Sequence, residues 1–297
     1  MAADRMQRQR FELKYRIQEE EAQQIRDFVS AHLQLDENGI GRPNLSYPVH
    51  SLYLDSDDLA TYWMTVNGDK NRFKLRLRFY DDRPDTPVYC EIKSRVDQCI
   101  SKQRGAIRKE AVPWLLAGQL PAPEQLLSRD PKQRFAVEQF WKLTEWLCAR
   151  PKMHVAYQRE AWVDPGSDAV RVTFDRHVLG EPERTTCYRT EMTNPCRPFG
   201  NEVILELKFT NRFPKWAREM VEIFELTRGT AAKYCECVEI EGEQRLTDSA
   251  LRESGFAFCE SGDVSSRFHR GGIFSESRRT VAPRAMQQGF LCGDNVL

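Results

Sequence analysis

Residues 72–80 read RFKLRLRFY. Phe73, Leu75, Leu77 and Phe79 alternate with Arg72, Lys74, Arg76 and Arg78. A period of two is the signature of a β-strand, because successive side chains leave opposite faces of the pleat. This strand has one apolar face and one face made wholly of cations. Other segments repeat the scheme. In RFELKYR (10–16), Phe11, Leu13 and Tyr15 oppose Glu12 and Lys14. VYCEIKSRV (88–96) puts Glu91 and Lys93 on one face. VRVTFDR (170–176) sets Arg171, Thr173 and Asp175 against Val170, Val172 and Phe174. VILELKF (203–209) sets Glu206 and Lys208 against Val203, Leu205, Leu207 and Phe209.

In an ordinary half-solvated sheet the polar face has no fixed scheme. Here Arg and Lys dominate it, and a carboxylate recurs on several strands. One arrangement satisfies all these segments at once. The sheet closes, the apolar faces point outward under helices, and the charged faces line a wet tunnel. The predicted fold class is therefore α+β: a closed antiparallel β-barrel of about eight strands with helices packed outside.

The remaining elements fit that plan. Ile25, Phe28, Val29 and Leu33 recur at helical spacing over 18–34, with Glu19 to Glu21 in the first turn. Asn38 to Pro48 is a loop, VHSLYLD (49–55) a strand, and a short helix runs to about Met64 before the Asn67-Gly68 turn. Residues 99–110 form a less regular strand. A helical stretch covers 123–149, interrupted at Asp130-Pro131. HVAYQREAWV (154–163) is a further strand, Pro214 opens a helix to about Leu226, and a short strand is expected at 236–240. Trp114, Trp141, Trp146 and Trp216 are expected in the core. The tunnel domain spans 8–246. Residues 247–297, rich in Ser, Gly and Arg (Arg267, Arg270, Arg278, Arg279, Arg284), read as a flexible tail.

Composition narrows the function. The chain has 297 residues, 40% hydrophobic and 30% charged, with a formal net charge of zero. No global field draws in nucleic acid or a membrane surface, so any anion site must arise from local segregation of basic residues. No apolar run reaches the roughly 18 residues of a membrane helix, so no direct membrane insertion is expected. The nine cysteines are scattered. Cys235 and Cys237 are the close pair and lack partners at zinc spacing, which favours reduced thiols and a cytoplasmic location. There is no glycine-rich phosphate loop, and His50 and His177 show no triad spacing.

A tunnel lined by Arg and Lys suits a linear polyanion, because both side chains form charge-assisted hydrogen bonds to phosphate oxygens. Lone carboxylates among the cations suit Mg²⁺ or Mn²⁺, which bridge phosphates to protein through one or two carboxylates. The chemistry would be phosphoryl transfer by positioning and charge neutralisation.

The order of RFELKY (10–15), YPVHSLYLDSDDLATY (47–62), RFKLRLRFY (72–80), VYCEIKSR (88–95), SKQR (101–104), YQREAW (157–162), VRVTFD (170–175), VILELKF (203–209), FPKW (213–216) and AAKY (231–234) resembles the VTC domain. This is the polyphosphate polymerase branch of the triphosphate tunnel metalloenzymes, relatives of the CYTH proteins. The resemblance covers roughly residues 8–242. It implies an enzyme that moves the ATP γ-phosphate onto inorganic polyphosphate, with Mn²⁺ or Mg²⁺ bound. It assigns phosphate binding to Lys14, Arg76, Arg78, Lys93, Lys102, Arg159, Arg171 and Lys233, with Lys208 beside them. Arg76, Arg78, Lys93, Arg159, Arg171 and Lys233 would also serve catalysis. Glu206 would hold the metal, with Glu12, Glu91 and Asp175 as lesser ligands. A membrane-protein partner would be needed if product crosses a membrane. Two departures stand out. Arg10 replaces the first Glu of the hydrolytic E-x-E-x-K pattern, and Ala232 replaces a hydroxyl residue before Lys233. The alternatives are a triphosphatase of the same fold and a non-catalytic polyphosphate-binding module. On this reading Arg78→Ala costs binding and little stability, because Arg78 faces solvent-filled space.

Overall fold

Alternation carries over directly into strands. The computed structural model describes residues 10–247, apart from 97–98, 167–168 and 211. The described residues begin with β1 (Arg10–Ile17), α1 (Glu19–Ser30), β2 (Gln34–Leu35), β3 (Ser46–Asp55) and α2 (Ala60–Val66). The meander β4 (Asn71–Phe79), β5 (Pro87–Val96) and β6 (Cys99–Arg108) follows, then α3 (Val112–Leu116) and α4 (Pro131–Trp146). Two long strands, β7 (Arg150–Val163) and β8 (Val170–Pro182), lead to β9 (Val203–Thr210). The helices α5 (Lys215–Ile223), α6 (Lys233–Glu241) and α7 (Glu243–Leu246) complete the described chain. Asp130 starts α4 by accepting from the Lys132 amide at 2.9 Å, so the Asp-Pro step begins this helix instead of interrupting it.

The strands form one antiparallel sheet in the order β1-β9-β8-β7-β3-β4-β5-β6, with β2 alongside β7. The expected closed barrel is not formed. Among the described residues no ladder joins β1 to β6, and these two are the ends of the strand order. The sheet nevertheless curls, so that Lys93 of β5 reaches Glu12 of β1 at 2.9 Å through side chains. Alternation fixes which residues share a face. Whether two edges meet depends on accumulated twist and register, which no single strand encodes.

Helices cover the convex face. Ala22, Ile25 and Val29 of α1 and Ala217 and Met220 of α5 pack on Tyr15, Ile17, Val172, Phe174, Val203, Leu205 and Leu207. A buried ionic knot adds to this contact. Glu160 accepts from Arg26 at 2.8 and 2.7 Å, from Arg176 at 2.8 Å and from Trp162 at 2.6 Å. On the opposite flank α4 lies so close to β6 that Gly105 has no room for a side chain. A Cβ there would stand 2.4 Å from the Gln133 carbonyl oxygen and 2.5 Å from Val137.

The concave face is apolar at one end, where Tyr53, Val155, Tyr157 and Ile204 meet Tyr234, Cys235 and Val238 of α6. Residues 236–240 are therefore helical, not the expected strand. Tyr234 anchors this helix by donating to Asp55 at 2.8 Å. Asp55 also accepts from the amides of Ser56, Thr61 and Tyr62 and so caps the start of α2. Trp114 is 57% exposed on α3 and is not a core residue. The sequence beyond residue 247, including the predicted tail and its arginines, lies outside the described residues.

His50 and His154 form a pair that their separation in sequence concealed. His50 Nδ1 and His154 Nε2 lie 3.1 Å apart, and the His50 ring stacks on Phe79. Burial pushes His50 down to about 4 and His154 down to about 3. Both are held neutral while an unfolded chain protonates near 6.5, so their stabilisation is complete above about 6.5 and lost as pH falls through the folded values. For His50 alone the loss is on the order of 3 kcal/mol. The melting temperature should fall steadily from about pH 6.5 to about 4, and the double variant His50→Phe, His154→Leu should flatten that fall. A wild-type melting temperature unchanged down to about pH 4 would refute the pairing. Separately, Gly105→Ala should destabilise the fold by about 1–3 kcal/mol in denaturant titration, since backbone must shift to admit the methyl.

Candidate functional site

The concave face gathers the inward positions of every long strand. Its cations are Lys14 on β1; Lys74, Arg76 and Arg78 on β4; Lys93 on β5; Lys102 and Arg104 on β6; Arg159 on β7; Arg171 on β8; Lys208 on β9; and Lys233 at the first turn of α6. Its anions are Glu12, Glu91, Asp175 and Glu206, with Asp36 at the margin beside Arg171. Cations outnumber anions about two to one.

Register shows how these charges are arranged. Glu12 stands opposite Lys208, and Lys14 opposite Glu206. Arg76 stands opposite Glu91, which has Arg104 on its other side. Arg159 stands opposite Asp175. These rows alternate in sign and stabilise the sheet. Others do not. Lys74, Lys93 and Lys102 form one row of three lysines across β4, β5 and β6. Arg171 stands opposite Lys208. Like charges directly opposite each other destabilise a ladder, and here Lys93 turns to Glu12, Lys102 to Glu91 and Arg171 to Asp36. A bound anion would remove the repulsion.

Two carboxylates act as hubs. Glu206 contacts Lys208 at 2.5 Å, Lys233 at 3.1 Å, Arg159 at 3.4 Å and Lys14 at 3.5 Å. Burial alone would raise its carboxyl, but Lys208, Lys233, Lys14 and Arg159 outweigh burial and hold it well below the usual range. Glu91 contacts Arg76 and Lys102 at 2.7 Å, Arg104 at 3.3 Å and Arg78 at 3.8 Å. Burial opposes its ionisation too, and Arg78, Arg76 and Lys102 again prevail. Asp175 takes a bidentate pair from Arg159 at 2.7 Å and a contact from Lys233 at 2.7 Å. Glu12 lies between Lys93 at 2.9 Å and Lys14 at 3.4 Å.

The structure thus brings together Lys14, Arg76, Arg78, Lys93, Lys102, Arg159, Lys208, Lys233, Glu12, Glu91, Asp175 and Glu206. Arg171 stands at the rim, paired with Asp36 at 2.7 Å. Arg78 is not in solvent-filled space. It is 5% exposed and donates to Tyr157 at 3.0 Å, so its removal would also disturb packing. Arg78 Nε and Arg104 Nε have no hydrogen-bond partner. Sequence reasoning passed over the tyrosines. Tyr53 accepts from Arg76, Tyr80 from Arg104 and Tyr157 from Arg78. Tyr53 and Tyr157 lie on strands whose alternation places them inward, and that signal was available. Tyr47, Tyr80 and Tyr157 also line a cavity of about 570 Å³ at this end of the sheet, with His50, His177 and Asp82.

Among the described residues no group of three or more His, Cys, Asp or Glu could hold a metal. A centre built from protein ligands alone does not fit. Glu12 and Glu206 do converge on one cationic position, the Lys14 ammonium, 3.4 and 3.5 Å away. Two carboxylates suit Mg²⁺ or Mn²⁺ only in the mode where phosphate oxygens supply most of the other ligands.

A curved antiparallel sheet with a basic concave face is suited to holding a phosphate-rich anion. The chain belongs to the VTC domain family, which it matches over residues 9–241. Among solved structures it is similar to a candidate adenylate cyclase from Bacillus halodurans, at 9% identity and a TM-score of 0.43, over 75% of this chain and 94% of that one. It is also similar to the PH1819 protein of Pyrococcus horikoshii, at 11% identity and a TM-score of 0.37, over 77% and 96%. No curated protein matches the sequence. No helix among the described residues is long and apolar enough to cross a membrane.

Lys102 separates binding from folding better than Arg78, because its side chain is 43% exposed. Burial pushes Lys102 down to about 7 and Lys208 down to about 8. Both carry charge below those values, so tripolyphosphate affinity should weaken as pH rises through about 7 to 8. Lys102→Met should lose roughly tenfold to a hundredfold in affinity, one charge-assisted contact, while its melting temperature stays near wild type. Isothermal titration across the pH range checks both. An affinity independent of pH and of Lys102 would show that this face does not bind the anion.

Proposed function

We propose that this chain is an inorganic polyphosphate polymerase that transfers the γ-phosphate of ATP to the end of a polyphosphate chain. The observation that carries the reading is the row Lys74–Lys93–Lys102, set beside the Arg76–Glu91–Arg104 row. Repelling cations held in register across neighbouring strands favour a ligand with many negative charges spaced along a line. Family membership supports the same class of substrate.

In this reading the terminal phosphate oxygen of the polymer attacks the γ-phosphorus. The bond to the β,γ-bridging oxygen breaks, ADP leaves, and the polymer grows by one phosphate. No protein nucleophile is required. Arg76, Arg78, Lys93, Arg159, Arg171 and Lys233 hold the reacting phosphates and offset charge that accumulates on the transferred group. Lys14, Lys102 and Lys208 bind neighbouring phosphates. Glu206, with Glu12 across the ladder and Glu91 and Asp175 as further carboxylates, would hold Mn²⁺ or Mg²⁺ brought in with the triphosphate. The ion would supply charge neutralisation at the phosphate oxygens. ATP as donor places the work in the cytoplasm, and export of the product would call for a membrane-protein partner.

The test is to incubate the purified chain with ATP and Mn²⁺, resolve the products on a polyphosphate gel, and run Glu206→Ala alongside. We expect a ladder for the wild type and its loss in the variant. Phosphate release with no ladder would replace the polymerase by a triphosphatase. Intact ATP together with tight polymer binding would replace it by a binding module.

A further inference from the structure

A second constellation lies outside the charged face. Gly180, near the end of β8, is bridged to Cys196 by two backbone hydrogen bonds, at 3.0 and 2.7 Å. A Cβ at Gly180 would stand 2.3 Å from Cys237 Sγ and 3.3 Å from Cys196 Sγ. Both sulfurs therefore converge on the space that this glycine leaves open. The two residues come from separate elements, Cys196 from the segment after β8 and Cys237 from the middle of α6. Cys196 is half-buried, which leaves it reachable by a small solute, whereas Cys237 is fully buried.

We infer that Cys196 and Cys237 form a reversible oxidation site, in which a hydroperoxide oxidises Cys196 and Cys237 resolves it to a disulfide. The Cys196 thiolate attacks the terminal peroxide oxygen, the O–O bond breaks, and Cys196 becomes a sulfenic acid while the other oxygen leaves as an alkoxide, or as hydroxide when the oxidant is hydrogen peroxide. The Cys237 sulfur then displaces the sulfenic oxygen, which leaves as water once it takes up the Cys237 proton. The sulfur pair loses two electrons and the hydroperoxide gains them. The closeness of the two thiols, both at the space beside Gly180, assigns these roles. It favours the thiolate at Cys196, and it holds Cys237 well above its ordinary value as the protonated partner. Burial of Cys196 and the neighbouring Glu241 carboxylate work against its ionisation, so the thiol pair provides the larger effect.

The cross-link would join the segment before β9 to α6, enclosing the stretch that carries Glu206 and Lys233. Of the other described thiols, Cys90 is buried and raised by its burial, Cys235 is buried and its sulfur accepts from the Lys74 ammonium at 3.3 Å, and Cys148 and Cys187 are exposed.

The test treats the full chain with hydrogen peroxide, blocks remaining thiols with iodoacetamide, and maps peptides without reductant. The expected product is one cross-linked peptide pair holding Cys196 and Cys237, lighter by two hydrogens and separated again by dithiothreitol. In Cys196→Ser, which alters the half-buried member and spares the core, Cys237 should be neither oxidised nor cross-linked. In Gly180→Ala the yield of cross-link should fall, because the methyl occupies the space between the sulfurs. The inference is overturned if Cys196 stays a free thiol, ends as a sulfinic acid without a cross-link, or links to any cysteine other than Cys237.

Discussion

Repulsion between neighbouring cations is the constraint on which the rest of this structure depends. Placing Lys74, Lys93 and Lys102 side by side on adjacent strands costs stability in an otherwise well-formed ladder. The fold tolerates this because carboxylates are set among the cations. Glu91 serves Arg76, Arg78, Lys102 and Arg104 at once. Glu206 does the same for Lys14, Arg159, Lys208 and Lys233. Each carboxylate is shared among several bases, so none neutralises its surroundings completely. What remains is a preformed positive surface whose side chains are already ordered by their mutual contacts. Preorganised charge of this kind requires little rearrangement when an anion arrives.

Much of this arrangement was legible in the sequence. Five segments with the same alternation marked Glu12, Lys14, Arg76, Arg78, Glu91, Lys93, Arg171, Asp175, Glu206 and Lys208 as inward, whereas Lys102, Arg159 and Lys233 came from the family resemblance alone. The edge relation was not legible. Lys93 meets Glu12 across the curl of the sheet without a ladder between β1 and β6. That outcome is set by the sum of many small twists, to which each strand contributes a few degrees with no local marker. The 236–240 stretch misled for a related reason. Cys237, Val238 and Ile240 can be read at either spacing over so short a run, and tertiary contact of Tyr234 with Asp55 decides for helix. Trp114 was misplaced because a tryptophan on a five-residue helix carries no periodicity at all.

The histidine pair and the cysteine pair share a further lesson. His50 and His154 are joined by the pairing of β3 with β7, and Cys196 and Cys237 by the packing of α6 on β8. Such pairs leave no spacing signature. They become visible only once the partner strands are known. The buried Glu160 knot under α1 belongs to the same class. The histidine pair and the Glu160 knot lie outside the charged residues of the concave face and hold elements in place.

The pairing of β1 with β9 has a consequence for synthesis on the ribosome. Lys14 finds Glu206 only after some 190 intervening residues have been made, and Lys233 follows later still. A nascent chain carries the meander of β4, β5 and β6 long before it carries the strands that complete the basic surface. Contacts of such wide separation in sequence form slowly, because loop closure precedes their reward. The growing polypeptide therefore carries Lys14 and Arg159 before Glu206, the carboxylate they share, until β9 emerges.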